Sequence, residues 1–134
     1  MKIEKAKTEP MKILVVDDER DVQILFQQRF RKEIRNGEID FHFAFSGEEA
    51  LKLMNAMQQK AVLILSDINM PGMTGLELLE KIRTEYETPP PVVMMITAYG
   101  DEQNRTTAER LGANDFLTKP LDFGLLKEKL NALN

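Results

Sequence analysis

The stretch that decides the fold runs from Val62 to Asp67 and reads VLILSD, in which four apolar residues lead into a hydroxyl and a carboxylate. A short apolar run of this kind is typical of a strand that is buried on both faces of a parallel sheet. Because the carboxyl ends of parallel strands share one edge, where ligands bind, we expect the polar side chains that follow such strands to meet there. Three further runs end in the same way: Lys12–Val16 before Asp17 and Asp18, Val92–Ile96 before Thr97, and Asp115–Thr118 before Lys119.

Helical patterns separate the predicted strands. Two of the helices begin with the spacing of a capping box, Ser46 with Glu49 and Thr74 with Glu77. Strands that alternate with helices, joined by right-handed crossovers, indicate an α/β fold with a doubly wound, five-stranded parallel sheet flanked by five helices. In addition to the four runs above, one more strand is predicted at Ile39–Phe45, which makes it the second strand in chain order. The helices are predicted at about 19–34, after Ser46, after Thr74, at about 101–111 and from Asp122 to about 132.

The composition indicates one folded domain. The chain has 134 residues, of which 43% are hydrophobic and 30% charged, which is enough for one core and too little for two ordinary domains. Residues 1–10 are polar and end in Pro10, so we expect a flexible leader at 1–10 and the folded domain at 11–134. The chain has no cysteine, which excludes disulfides and thiolate chemistry and is compatible with a cytoplasmic location.

Charge and hydropathy argue against two classes of partner, membranes and nucleic acids. The longest apolar run, Val92–Ala98, is far shorter than the ~20 residues that a membrane-spanning helix needs. The net charge of -4 gives no general reason to bind nucleic acid. We therefore expect neither membrane insertion nor direct nucleic-acid binding.

Three carboxylates at the predicted edge favour a metal site. Asp17 and Asp18 alone could equally be the N-cap and acidic first turn of a helix. Their combination with Asp67 tilts the interpretation toward a divalent cation, because three crowded carboxylates repel one another without one. Mg²⁺ prefers carboxylate and carbonyl oxygens.

Asp67 is also a candidate nucleophile. It could simply open the loop before Pro71-Gly72. A carboxylate can, however, attack phosphorus and form an aspartyl phosphate. That chemistry needs a cation to offset charge, together with an ammonium and a hydroxyl to hold the transferred oxygens, and Lys119 and Thr97 could supply the last two.

Four motifs carry these residues in a fixed order. As a set they resemble the receiver domain of two-component response regulators, in particular the single-domain chemotaxis-regulator type. The resemblance spans about residues 11–133 and implies a flavodoxin-like fold with strand order 2-1-3-4-5. The motifs are LVVDDE at 14–19, SDINMPGM at 66–73, TA at 97–98 and GANDFLTKP at 112–120.

The resemblance implies a role for each acidic residue. Asp67 would accept a phosphoryl group from a phosphohistidine on a sensor kinase. Mg²⁺ would be held by Asp18, by Asp67 and by the backbone carbonyl of Asn69, with Asp17 reaching it through water. Many receivers carry Asp where this chain has Thr74, but the capping box explains how Thr fills the same place.

Further roles follow from the same resemblance. Lys119 would hold the phosphoryl group, Thr97 would move toward it on activation, and Phe116 would swing inward behind Thr97. The Lys119–Pro120 peptide bond would be cis. The domain would be a switch that assists its own phosphorylation and dephosphorylation rather than an enzyme. Its partners would be a sensor histidine kinase or phosphotransfer protein and a downstream protein target or covalently linked output domain.

Asn69 and Tyr99 are candidates for tuning the lifetime of the phosphoryl group. They lie two residues beyond Asp67 and two beyond Thr97, where attacking water would enter. Neither an amide nor a phenol is a general base near neutral pH, and Tyr99 is large enough to act as a shield. The alternative is that Tyr99 is only a half-exposed loop aromatic.

Two other functions use some of the same residues. A phosphatase that forms an aspartyl phosphate on small molecules should carry a general acid near Asp67 and a cap domain. Asn69 cannot serve as that acid, and no cap insertion is present. A DNA-binding regulator would need an output domain, which we do not expect within 134 residues.

His42, the only histidine, is interpreted as a polar residue on an edge strand rather than a ligand.

Overall fold

The protein forms a five-stranded sheet in which every strand is parallel to its neighbours. The computed structural model describes residues 9–57, 63–85 and 91–133. The order is β2-β1-β3-β4-β5, so β1 and β3 lie at the centre and the chain reverses direction across the sheet between them. This confirms the predicted doubly wound sheet and its strand order. The strands are β1 (Met11–Val16), β2 (Ile39–Ala44), β3 (Leu63–Asp67), β4 (Val92–Thr97) and β5 (Asp115–Thr118).

Six helices surround the sheet within the described ranges, one more than expected. The helix predicted at about 19–34 is divided at Phe30, whose φ of -109° and ψ of 20° depart from helical values. The Phe30 ring is fully buried and packs against Phe26, Phe41 and Phe123, a tertiary constraint that helical periodicity does not reveal. The helices are α1 (Asp21–Arg29), α2 (Arg31–Arg35), α3 (Gly47–Ala56), α4 (Gly75–Glu85), α5 (Glu102–Arg110) and α6 (Phe123–Asn131).

The core has two layers because both faces of the sheet are covered. Alternate residues of β1 show this: Ile13 and Val15 face α1 and α6, whereas Leu14 and Val16 face α3, α4 and α5. All four are essentially inaccessible to solvent. A parallel sheet buried on both faces explains why its strands read as continuous apolar runs.

Both predicted capping boxes form. The Glu49 amide donates to Ser46 Oγ at 3.0 Å, and the Glu49 carboxylate accepts from the Phe45 amide at 2.7 Å. At the start of α4 the bonds are fully reciprocal, since the Glu77 amide donates to Thr74 Oγ1 at 3.2 Å and the Thr74 amide to Glu77 Oε1 at 2.9 Å. Each box fixes a helix start at the carboxyl edge of the sheet.

Some sequence expectations fall on residues that the structure does not describe. These are residues 1–8 of the predicted leader and Val62 at the start of the third strand. Within the described ranges, no helix is both long and apolar enough to cross a bilayer.

Candidate functional site

Asp17, Asp18 and Asp67 meet at the carboxyl edge of the sheet. Asp17 directly follows β1 and Asp67 ends β3, its neighbour in the sheet. One carboxylate oxygen from each of the three residues lies within 4.8 Å of the other two. Asp17 and Asp67 are 6% and 3% exposed, whereas Asp18 is exposed to solvent. The sequence therefore predicted this grouping correctly.

The cluster is electrostatically unfavourable by itself. Burial raises the pKa of the Asp17 carboxyl above its ordinary value, and the charges of Asp67 and Asp18 raise it further. A hydrogen bond from the Glu19 amide to Asp17 Oδ1, 2.9 Å long, and the charge of Lys119 act in the opposite direction but do not cancel the effect. Oxygen donors that carry a surplus of negative charge suit a hard divalent cation.

Lys119 supplies the positive charge that faces Asp67. Its Nζ donates to Asp67 Oδ2 at 2.8 Å, across a separation of 52 residues in the chain. Burial favours the neutral amine, but the hydrogen bond and the charge of Asp67 outweigh it and raise the pKa of Lys119 above its ordinary value. The backbone holds this arrangement, because the Lys119 amide donates to the Thr97 carbonyl at 2.9 Å. The Lys119–Pro120 bond is cis, as predicted.

Thr97 and Phe116 lie on adjacent strands and on the same side of the sheet. Thr97 is the last residue of β4, is 2% exposed and pairs in register with Thr118, two residues beyond Phe116. Phe116 packs on the core that α3, α4 and α5 cover, and the Arg105 guanidinium of α5 lies 4.8 Å from the centre of its ring. Thr97 and Phe116 therefore lie on the side of the sheet that α5 covers.

The loop after β3 depends on a glycine that sequence analysis did not single out. Asn69 in this loop is exposed, and the Gly75 amide donates to the Ile68 carbonyl at 2.8 Å as α4 begins. A Cβ atom at Gly75 would collide with the backbone of Asp67 and Ile68. Gly75 thus lets the start of α4 pack directly on the backbone of Asp67. The sequence feature that could have pointed to Gly75 is its position directly after the capping residue Thr74.

Two other sequence candidates lie in ordinary environments. Tyr99 is 88% exposed in the loop between β4 and α5, so its ring packs on almost nothing. His42 lies on the edge strand β2, with its Nε2 atom 3.2 Å from Asp40 Oδ2, and Lys12 contacts the same carboxylate oxygen. This agrees with a polar position on an edge strand.

Comparison with known families identifies the family to which the chain belongs. The family model described as the response regulator receiver domain matches residues 13–131. The chain belongs to this family. Receiver domains act in phosphorylation-dependent signalling by two-component systems, which is the function of this domain, and the small-molecule phosphatase is not favoured.

Individual relatives agree with this assignment. The chain is 35% identical over 108 residues to the transcriptional regulatory protein SrrA of Staphylococcus aureus, which covers 81% of this chain and 41% of SrrA. It thus spans less than half the length of that relative. A response regulator receiver protein from Pseudomonas putida superposes with a TM-score of 0.79 at 28% identity, covering 93% of this chain and 98% of the other. The receiver domain of NtrX from Brucella abortus gives 0.75 at 31% identity, with 90% and 95% coverage.

Proposed function

We propose that Asp67 is the phosphoacceptor of this receiver domain and that it works with Mg²⁺ held by the neighbouring carboxylates. The observation that carries the proposal is a buried carboxylate, Asp67, that contacts Lys119 and has oxygens of Asp17 and Asp18 within 4.8 Å. The donors would be a sensor histidine kinase or a histidine phosphotransfer protein in the cytoplasm.

The reaction proposed is an in-line transfer between two side chains. A carboxylate oxygen of Asp67 attacks the phosphorus of a phosphohistidine, a phosphorus–oxygen bond forms, and the phosphorus–nitrogen bond breaks with its electrons left on the imidazole. Lys119 already lies against one Asp67 oxygen and would hold a phosphoryl oxygen after transfer. Its positive charge offsets charge that develops on the transferred group.

The donor set fits Mg²⁺. We propose Asp17, Asp18, Asp67 and the backbone carbonyl of Asn69 as its ligands, with Asp17 acting through water. When bound, Mg²⁺ would neutralise the phosphoryl oxygens and the surplus carboxylate charge. The raised pKa of Asp17 fits this, because burial first, and then the charges of Asp67 and Asp18, disfavour its ionised form, and a bound cation would offset both effects.

The output step would begin at Thr97. Its hydroxyl would be drawn to the phosphoryl group and Phe116 would move in behind it, which would alter the surface of α5 and β5. Such a change requires an element with two conformations whose equilibrium the modification biases. A downstream protein or a linked output domain would respond to that surface.

Acetyl phosphate and intact-mass spectrometry test the assignment. With Mg²⁺ present, the wild type should gain one phosphoryl group, Asp67→Asn should gain none, and chelation by EDTA should prevent labelling of the wild type. Asp115→Asn is the matched control, since Asp115 is a partly buried aspartate at the opposite end of a strand. A persistent adduct on Asp67→Asn would refute the proposal.

A further inference from the structure

Arg20 makes an aromatic contact beside the carboxylate cluster. Its guanidinium carbon lies 4.3 Å from the centre of the Phe45 ring. Arg20 precedes α1, and Phe45 follows β2, the strand that pairs with β1. The contact therefore joins the two loops that leave β1 and β2, at the same edge as Asp17 and Asp18.

The side chain of Arg20 has no other partner among the described residues. It occupies the N-cap position of α1 without the side-chain hydrogen bond that Ser, Thr, Asp or Asn usually provides there. Although Glu19 and Asp21 flank it, it forms no ion pair with any residue in the described ranges. Within the described ranges, the Arg20 side chain contacts the face of the Phe45 ring.

Asp18 is the least restrained member of the cluster. Asp17 is held by the Glu19 amide and Asp67 by Lys119, but no described group donates a hydrogen bond to the exposed carboxylate of Asp18. Repulsion from the other two carboxylates pushes Asp18 away from them. Its position thus depends on the backbone, which is anchored at Asp17 on one side and at Arg20 on the other.

We propose that Arg20, held on Phe45, is a positioning residue that keeps Asp18 in place to bind the divalent cation. This rests on the proposed function, because it assumes that the carboxylates hold Mg²⁺. The two properties of Arg20 act in opposite directions. As an anchor it strengthens Mg²⁺ binding, whereas as a nearby positive charge it weakens it. The sign of the effect therefore decides between the two roles.

The test measures Mg²⁺ affinity without any phosphodonor, from amide chemical shifts during a Mg²⁺ titration. Arg20→Met and Phe45→Leu should each weaken binding by about two- to fivefold, the size expected for an exposed cation–π contact. The double variant should lose no more than either single variant, since both remove the same contact. Arg20→Lys, which keeps a cation over the ring, should restore part of the affinity.

Arg29→Met is the matched control, because Arg29 also lies over a phenylalanine, Phe123, at 5.4 Å, but away from the cluster. It should leave Mg²⁺ affinity unchanged. Tighter binding by Arg20→Met with no effect of Phe45→Leu would overturn the proposal and leave Arg20 as a charge alone. The proposal would also be overturned if the losses of Mg²⁺ affinity in Arg20→Met and Phe45→Leu added in the double variant, or if Arg29→Met lost as much affinity as Arg20→Met. A wild type that binds no Mg²⁺ would instead refute the proposed function itself.

Discussion

At the scale of single residues, Lys119 is the group on which the site depends most. It provides the direct ion pair to Asp67, one of three carboxylates that each place an oxygen within 4.8 Å of the others. Because its backbone amide is bonded to the Thr97 carbonyl, the ammonium and the hydroxyl of Thr97 are held by one local structure. A phosphoryl group on Asp67 would meet the Lys119 ammonium directly, and the Thr97 hydroxyl would then move toward it.

Tyr99 is a second single residue of interest, and its role as a shield of the phosphoryl group is a prediction. We expect Tyr99→Ala to lose phosphate from Asp67 faster than the wild type by a factor of a few, because the ring can cover the entrance used by water. Its 88% exposure means that it would do so by moving over the site rather than from a packed position. The two proteins would be phosphorylated, freed of phosphodonor and followed in parallel with Mg²⁺.

Tyr99→Phe separates the ring from the hydroxyl. If the ring is the shield, this variant should keep the lifetime of the wild type. Equal or slower loss in Tyr99→Ala would show that Tyr99 does not shield the phosphoryl group.

At the scale of elements, the two ends of the sheet carry different kinds of residues. The carboxyl ends of β1, β3, β4 and β5 carry the site, whereas ion pairs at the amino ends join neighbouring elements. Lys129 of α6 donates to Asp115 at the start of β5 at 2.8 Å, and Lys12 of β1 contacts Asp40 of β2 at 3.3 Å. These pairs fasten edge strands and leave the chemistry to the opposite end.

The Lys129–Asp115 pair predicts a pH-dependent contribution to stability. Burial acts to raise the pKa of Asp115, but the bond from Lys129 and the 2.7 Å bond from the Phe116 amide outweigh it and lower the pKa below its ordinary value of 3.8. A lowered pKa means that the ionised carboxylate stabilises the fold above that ordinary value. The contribution is lost as pH falls through 3.8 toward the lower pKa of the folded state.

Lys129→Met should therefore reduce the free energy of unfolding near pH 7 by on the order of 0.5 kcal/mol, since both side chains are partly exposed. Urea unfolding at a series of pH values should show the difference from the wild type shrinking as Asp115 becomes protonated. Lys81→Met, which removes a looser exposed pair with Glu85, is the control and should change stability less. A difference that stays constant with pH would contradict this assignment.

At the scale of the whole molecule, the sheet brings distant residues to one edge and links that edge to a surface that partners would recognise. We predict that α5, β5 and α6 form the output surface, because Thr97 and Phe116 border it and Arg105 of α5 lies on Phe116. Addition of beryllofluoride with Mg²⁺ should shift amide resonances mainly at about residues 97–119. Shifts confined to α1, α2 and α3 would count against this surface.

The architecture of the whole sheet explains which features could be predicted from the sequence. The apolar runs predicted the strands. The polar residues at the ends of these runs predicted that Asp17, Asp67 and Lys119 lie close together, because a parallel sheet has only one carboxyl edge. The break at Phe30 and the contact of Gly75 with the backbone of Asp67 could not be predicted this way. Both depend on the packing of elements that are distant in the chain, and neither leaves a periodic signal.

The central claim is that Asp67 carries the phosphoryl group. Reduction of the phosphorylated protein with borohydride converts an acyl phosphate into an alcohol, so an aspartyl phosphate becomes homoserine. Peptide sequencing by mass spectrometry then locates the changed residue. We predict homoserine at position 67 and at no other aspartate, and none when EDTA is present during phosphorylation. Homoserine at Asp17 or Asp18, with Asp67 unchanged, would contradict the account.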